Sequence, residues 1–238
     1  MVKKSLVVGK TYFAIVKEGV SSTGFYDDVC QDFYLCRLLH CLNVYQVKLH
    51  AYLLQPRQIF FLFTPLTPNG FYSLVGFLNR SYSDYFSSRF CRTIRVWRDN
   101  PSLNVVSSSE LVLDCQKFIE RYPLTICSLR HPGEYKFSSY CSNAFTRNPQ
   151  YLSQHPSFRD YLSKSKEPLK RYRAFIDQPF SPAYLRYLES RLMFGRPLLS
   201  AKAQARLEKS NVLTDKDKNG RMTLMKGSVE EAPCHAFR

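Results

Sequence analysis

One segment of the sequence, from residue 80 to residue 98, alternates basic side chains with aromatic ones. Its five arginines are accompanied by a single acidic residue, Asp84; they are Arg80, Arg89, Arg92, Arg95 and Arg98. The rings between them are Tyr82, Tyr85, Phe86, Phe90 and Trp97. Arginines neutralise phosphates, and exposed rings stack on unpaired bases. The segment therefore predicts a nucleic-acid-binding surface, although most of its rings also fit the buried stripe of a helix, with the arginines as its solvated face.

A second basic cluster lies further along the chain, where Tyr172 stands among cations. Its members are Lys164, Lys166, Lys170, Arg171 and Arg173. The whole chain carries 34 lysines and arginines against 19 aspartates and glutamates, a formal net charge of +15. Such an excess favours a polyanionic partner, either nucleic acid or an anionic membrane surface. We expect the second cluster to extend the nucleic-acid path of the first.

The apolar runs of the sequence are short. The longest, residues 58 to 66, has the length of a strand, whereas a membrane-spanning helix requires roughly 18 or more apolar residues. The apolar stretch near the N-terminus ends at Lys10, which makes it too short for an export signal. Three of the eight cysteines, Cys36, Cys115 and Cys127, fall inside apolar runs, as reduced core thiols do. These features predict a cytoplasmic protein with no membrane partner.

Residues that could bind metals do not form a recognisable set in the sequence. The cysteines have no C-x-x-C pair, and a zinc site needs closer spacing. His50 stands without a second ligand, which is more typical of a structural histidine. Residues 215 to 220 resemble the first half of a calcium loop, but the twelfth position is Lys226, where a bidentate Glu is needed, so a turn is expected. We expect no metal and no cofactor.

Hydrophobic periodicity predicts an alternation of strands and helices. Strands are predicted at 11–17, 44–54 and 58–64, and a fourth is expected to begin at Val96-Trp97. Helices are predicted at 28–42, 71–86 and 109–121, the last with Ser109 as N-cap and Pro123 as its stop. The order β-α-β-β-α-β-α, with antiparallel neighbours, predicts the α+β class, an antiparallel sheet with helices packed on a face.

The character of the chain changes after residue 146. Residues 147–215 are basic and polar, with short helices predicted at 182–193 and 200–209 and a turn between them, an arrangement that favours a helical hairpin over a helix-turn-helix. The polar tail from 216 to 238 is expected to be mobile. We therefore predict a sheet-containing domain at 1–146, a basic helical C-terminal region at 147–215, and the tail.

Five segments follow one another in an order that is typical of one protein family. They are residues 50–56 (HAYLLQP), Tyr82 to Phe86 with Arg89, Arg92 and Val96-Trp97, residues 110–123 (ELVLDCQKFIERYP), residues 135–140 (YKFSSY) and residues 195–198 (GRPL). On these segments the chain, from about residue 6 to 210, resembles the REP-associated tyrosine transposases, a branch of the IS200-like single-tyrosine family. The resemblance implies an HUH-type, ferredoxin-like fold.

The resemblance also implies where catalysis would take place. Members of the family cleave and rejoin single-stranded DNA beside a hairpin. Two histidines on a central strand bind a divalent metal, a tyrosine on the third helix attacks the phosphate, and an amide one turn later completes the metal site. This sequence has other residues at the four matched positions, which are Gln58, Phe60, Phe118 and Tyr122.

The substitutions at the four matched positions remove the family's chemistry. A phenyl group can neither bind a metal nor attack phosphorus, and we expect Phe60, Leu62 and Phe118 to fill the site with an apolar plug. Tyr122 carries a hydroxyl one turn from the nucleophile position, but it is not expected to attack without a metal to polarise the phosphate. The sequence therefore predicts no catalytic residue and no enzyme activity.

Three interpretations remain open at this point. The first is a domesticated, inactive transposase relative that binds single-stranded or hairpin DNA, or RNA, as a regulator. The second is a protein-interaction subunit that keeps the fold while a partner supplies the activity, and the third is the product of a decaying gene. The net charge of +15 favours the first. The second gains from residues 19–22, which replace a Gly-Asn-Asn-Arg loop that the family uses near DNA.

Overall fold

An antiparallel sheet forms the centre of the protein. The computed structural model describes residues 5–19, 24–146, 151–196 and 198. The strands of the sheet are β1 (Thr11–Lys17), β2 (Val47–Leu54), β3 (Gln58–Pro65) and β4 (Ser102–Val106). Their order is β2-β3-β1-β4, and each neighbouring pair is antiparallel. The predicted α+β class is confirmed.

Helices follow the strands in the predicted order. They are α1 (Asp28–Cys41), α2 (Gly70–Phe90), α3 (Ser109–Arg121), α4 (Pro123–Ile126), α5 (Tyr140–Phe145), α6 (Pro156–Ser163), α7 (Pro168–Asp177) and α8 (Pro182–Leu192), with a short 3-10 turn at Pro132–Glu134. The helices predicted at 28–42, 71–86, 109–121 and 182–193 are confirmed as α1, α2, α3 and α8. Among the described residues, no helix is both long and apolar enough to cross a membrane.

Local signals set the helix boundaries. The side chain of Asp27 accepts a hydrogen bond from the backbone amide of Cys30 at the start of α1. Ser108 caps α3 by accepting from the amide of Leu111, so the N-cap lies one residue before the predicted Ser109. Cys91 ends α2 in the left-handed conformation, with φ 52°.

The sheet is buried on both faces. Alternate residues of β1 enter different clusters: Tyr12, Ala14 and Val16 pack with α1 and α2, and Phe13 and Ile15 pack with α3 and α8. The same division applies to the apolar run of β3, whose odd-numbered residues face α1 and α2. Helices on both faces explain why β3 is apolar throughout instead of alternating.

The prediction that a strand begins at Val96-Trp97 is wrong. Trp97 forms only an isolated antiparallel bridge with Glu18, and β4 begins five residues later at Ser102. The reason is burial: the indole is 0% exposed and packs against Phe25, with ring centroids 4.6 Å apart. Trp97 is apolar because it anchors a loop to the layer formed by α1 and α2, and not because it begins a strand.

Later parts of the chain contact both outer strands of the sheet. Along β2, the carbonyl of Tyr52 accepts from the amide of Ser139 at 3.0 Å, and the carbonyl of Leu49 accepts from the amide of Ser153 at 2.7 Å. Along β4, the Asn104 side chain donates to the carbonyl of Arg191 at 3.2 Å. The backbone hydrogen bonds along β2 limit strand addition by another chain at that edge.

A third apolar cluster joins α5, α6 and α7. Its buried members are Tyr140, Ala144, Phe158, Leu162, Tyr172 and Ile176. The fully buried carboxylate of Glu120, on α3, connects this cluster to the sheet domain by accepting from Ser139 Oγ at 2.8 Å, Asn143 Nδ2 at 2.7 Å and the hydroxyl of Tyr172. The helices on both sides of residue 146 therefore share one polar anchor.

Some sequence predictions concern residues outside the described part. The helix at 200–209, the calcium-like segment at 215–226 and the tail at 216–238 all lie outside the described residues, as do residues 20–22 of the substituted loop. Among the three cysteines predicted in the core, Cys115 is buried, Cys127 is half-buried and Cys36 is exposed. The prediction for Cys36 is wrong because its apolar run winds into α1, which exposes one side to solvent.

Candidate functional site

The fold brings the four matched positions together. Gln58 and Phe60 are two residues apart on β3, so both side chains emerge on the same face of the strand. Phe118 lies in the last turn of α3, and Tyr122 is the C-cap of that helix, four residues later. Since α3 packs on this face of the sheet, strand and helix present their side chains to each other.

The aromatic side chains at these positions form a packed cluster. The ring centroids of Phe60 and Phe118 are 6.2 Å apart with nearly parallel planes, and both residues are at most 1% exposed. Tyr122 lies 4.9 Å from Phe60 and 5.2 Å from Phe118. Phe13 of β1 closes the cluster at 5.7 Å and 6.1 Å from the same two phenylalanines. The predicted proximity of Phe60 and Phe118 is confirmed, and with Leu62 they belong to one apolar cluster.

The polar rim of this cluster is small. Gln58 Nε2 donates to Gln55 Oε1 at 2.9 Å and, at 3.5 Å, approaches the hydroxyl of Tyr122. Burial raises the pKa of Tyr122, while the contact with Gln58 opposes this shift. A tyrosine nucleophile needs the opposite shift or a neighbouring base. The adjacent cavity, lined by Phe118, Tyr122 and Phe180, measures about 70 Å³, which is too small for a nucleotide strand.

His50, the histidine nearest the matched strand in sequence, points elsewhere. Its ring Nε2 bonds Thr64 Oγ1 at 2.9 Å, and its Nδ1 donates to the carbonyl of Ser153. Thr64 Oγ1 in turn lies 3.1 Å from Thr11 Oγ1, which bonds His155 Nε2 at 2.9 Å. Within the described ranges, no three His, Cys, Asp or Glu side chains are grouped so that they could hold a metal ion.

The rings of the segment from residue 80 to 98 are mostly buried. Tyr82 and Trp97 are 0% exposed and Phe86 is 3% exposed. The half-buried Tyr85 stacks on Phe33, with centroids 4.0 Å apart. Tyr82 and Phe86 therefore form part of the buried stripe of α2, and Trp97 is buried in the loop that follows, so these three rings are not available to stack on bases.

The arginines of this segment differ in how they are engaged. Arg89 forms two hydrogen bonds to the carboxylate of Asp27, at 2.6 and 2.8 Å, and this contact lowers the pKa of Asp27 to about 2. Arg95 pairs with Asp99 at 2.7 Å on the surface, and Arg98 Nε donates to the carbonyl of Glu18 at 3.0 Å.

Arg80 and Arg92 complete the set. Both are exposed, and neither side chain has a hydrogen bond or ion pair with another described residue. Arg80 lines a groove of about 550 Å³ between α2 and residues 93–100. The segment thus presents two unengaged arginines, one weakly paired arginine, Arg95, and two that hold the fold.

The second basic cluster is also partly structural. Tyr172 is fully buried, so it cannot stack on a base. Arg173 donates to the carbonyl of Ala144 at 2.9 Å, and Arg171 donates to the carbonyl of Lys164 at 3.2 Å. Lys170 pairs with the exposed Glu167 at 3.1 Å. Lys164, Lys166 and Lys170 lie on the surface and provide positive charge there. Tyr172, the one ring predicted to accompany them, is not exposed beside them.

Comparison with known proteins extends the description of the fold. No protein-family profile matches the chain, and no curated protein matches it. Among solved structures, the fold is similar to a REP-associated tyrosine transposase bound to a REP hairpin, with a TM-score of 0.51 over 65% of this chain and 92% of that chain. The fold is transposase-like. Sequence identity is 11%, so the similarity concerns the fold alone.

Proposed function

We propose that this protein is a catalytically inactive, transposase-derived protein that binds single-stranded or hairpin nucleic acid as a regulator. The packed contact between Phe60 and Phe118 is the observation that carries this proposal. It occupies the place where the matched family positions would hold a metal ligand and a nucleophile. The fold is retained, but the side chains that remain there cannot perform phosphoryl transfer.

Each step of the family's reaction lacks a chemical group in this chain. Phe60 has no lone pair for a metal, and Phe118 has no hydroxyl for attack on phosphorus. Tyr122 has a hydroxyl, but its pKa is raised and its ring is packed against two phenylalanines. These features support loss of catalysis.

Two features support nucleic-acid binding. The net charge of +15 creates a field that attracts polyanions. The solved structure with a similar fold is bound to a REP hairpin. Arg80, Arg92 and the surface lysines of the second cluster supply phosphate contacts, while the buried rings limit base stacking. Binding is therefore expected to depend mainly on charge.

A cleavage assay tests the loss of catalysis. The protein is incubated with labelled single strands that carry a hairpin, in the presence of magnesium or manganese, and the products are separated under denaturing conditions. We expect neither a nicked strand nor a covalent adduct, whereas an active single-tyrosine transposase serves as positive control. A metal-dependent adduct that is lost in Tyr122→Phe would contradict the proposal.

The interaction-subunit alternative is favoured by a specific observation. Arg89 and Arg98 are engaged with protein groups, and the rings that could have read bases are buried. The two functions predict different molecules that co-purify with the protein from cells. Nucleic acid that co-purifies at low salt and is released at high salt supports the regulator, and its sequence separates DNA from RNA. A stoichiometric protein that survives high salt, with no nucleic acid, supports the subunit.

A further inference from the structure

Gly76 occupies a position where glycine weakens the structure and no described neighbour requires it. It lies in the interior of α2, a helix of 21 residues, where glycine is a poorer helix former than any residue except proline. Glycine is used inside helices where another backbone or a ligand approaches closely. A Cβ atom built at Gly76 would meet no described atom within 4 Å. The space beside Gly76 is therefore free for a ligand.

This space is part of the groove of about 550 Å³ between α2 and residues 93–100. Tyr72, Gly76 and Arg80 line the groove at intervals of four residues, so they share one face of α2. Arg95 lines it from the neighbouring segment. A ring, an open stretch of helix backbone and two guanidinium groups thus border a single groove.

A buried polar atom also borders the groove. Asn79 is 2% exposed, and its Nδ2 donates to the carbonyl of Arg98 at 3.1 Å. Its Oδ1 has no hydrogen-bond partner among the residues that the structure describes. Asn79 lines the groove, and buried acceptors are almost always satisfied, so this oxygen indicates a donor, a water or a ligand group, that the described chain does not provide.

The charges of the groove suit one phosphate rather than several. Arg80 is without a described partner, and the pair of Arg95 with Asp99 is surface-exposed, so little free energy holds Arg95 in place. Asp84 and Asp99 also line the groove, and their carboxylates repel further phosphates. Beside Asp84 a sugar or the amino group of a base is better tolerated than a second phosphate.

We infer that this groove seats an unpaired strand of nucleic acid. The strand lies against the backbone of α2 at Gly76, with one phosphate between Arg80 and Arg95 and a base beside Tyr72. In a hairpin substrate, this groove takes the unpaired part. The inference rests on the proposed function and adds a location and a strand preference to it.

The test uses a variant whose new side chain fills the groove while the charged residues of the groove stay unchanged. In the full-length protein, Gly76→Leu places a side chain in open space and improves helix propensity, so Tm is expected not to fall. Binding of a fluorescent single strand of mixed sequence is expected to weaken at least tenfold. Ser88→Leu, on an exposed position of the same helix that does not line the groove, is the matched control and is expected to bind within twofold of wild type.

The outcomes separate the groove from the general function. If wild type binds and Gly76→Leu binds within twofold of it, the groove is not the binding site of the strand, and the proposed function stands. If wild type fails to bind any single strand at low salt, the proposed function fails first. Should Gly76→Leu lose its fold, Arg80→Ala decides: we expect the salt slope to drop by about 0.7 for one lost phosphate contact, and an unchanged slope overturns the inference.

Discussion

At the scale of single residues, burial shifts the pKa values of Glu120 and His50 in opposite directions. Desolvation raises the pKa of Glu120 to about 7, although hydrogen bonds from Tyr172, Asn143 and Ser139, among others, oppose this shift. Desolvation lowers the pKa of His50 to about 4, and it lowers that of His155 as well. The two networks touch at Asn143, whose Nδ2 donates both to Glu120 Oε1 at 2.7 Å and to the carbonyl of His50 at 3.2 Å.

The histidine network has one consistent direction of donation. The amide of Ser157 donates to His155 Nδ1, so His155 Nε2 carries the proton and donates to Thr11. Thr11 then donates to Thr64, and Thr64 donates to His50 Nε2. His50 Nδ1 completes the chain by donating to the carbonyl of Ser153. Both rings are neutral in this arrangement, and a proton on His50 Nε2 breaks it.

The pH dependence of stability is expected to separate these groups. A raised folded-state pKa makes the Glu120 contribution complete below pH 4.5, and it is lost as pH rises through 7. A lowered pKa makes the His50 contribution complete above pH 6.5, and it is lost as pH falls towards 4. Each shift corresponds to about 3 kcal/mol. Between pH 4.5 and 6.5 the two contributions offset each other.

Urea unfolding across that interval measures the effect. In Glu120→Gln, the free energy of unfolding should rise with pH more steeply than in wild type, because the opposing contribution is gone. In His50→Asn, it should fall with pH relative to wild type. Glu134→Gln, on the exposed face of the 3-10 turn, is the control. Parallel curves for all four proteins would show that neither buried group titrates as described.

The paired and unpaired arginines of α2 and the following loop should have different roles. Arg89→Ala removes the partner of Asp27, which also caps α1, so Tm should fall; the loss should be greater above pH 4, where Asp27 is ionised in both states. Arg92→Ala removes an exposed charge without a described partner, so Tm should be unchanged and nucleic-acid affinity should decrease. Thermal unfolding and binding of a labelled strand measure the two effects. Equal effects of both variants on Tm would contradict this division.

At the scale of elements, the docking of α3 on the sheet depends on the aromatic cluster. Phe118→Ala leaves a cavity between Phe13, Phe60 and Tyr122, and we expect it to lower the free energy of unfolding by about 3–5 kcal/mol. Glu110→Ala, exposed in the first turn of the same helix, should change it far less. Chemical denaturation gives both values. A change below about 1 kcal/mol in Phe118→Ala would mean that the position is not a packed anchor of the fold.

At the scale of elements, the sequence predicts those strands and helices that the spacing of apolar residues defines. The strands at 11–17 and 58–64 and the helices α1, α2, α3 and α8 follow from the spacing of apolar residues. Trp97 was misassigned to a strand because a single buried ring in a loop has the same local appearance as a strand start. Periodicity also cannot say which helix covers which face, so burial of the sheet on both sides emerged only from the structure.

The candidate site was predicted unevenly. The meeting of Phe60 with Phe118 follows from matching positions to a family pattern, because that pattern encodes a three-dimensional site. The nucleic-acid surface was predicted from composition alone, which counts arginines but does not show that Arg89 and Asp27 are partners. The groove at Gly76 was not predicted, although an isolated glycine between Val75 and Phe77 in a helical pattern is a signal in the sequence.

At the scale of the whole molecule, the central claim is that a transposase-like fold binds unpaired nucleic acid through charge. The measurement that tests it most directly is a salt titration of binding to a hairpin with a single-stranded extension, compared with a blunt duplex of equal length. We expect log affinity to fall linearly with log salt, with a slope of about −2 to −4 if three to five phosphates are contacted, and tighter binding of the extended hairpin. A slope of log affinity against log salt near zero, or no binding at about 50 mM salt, would contradict the account.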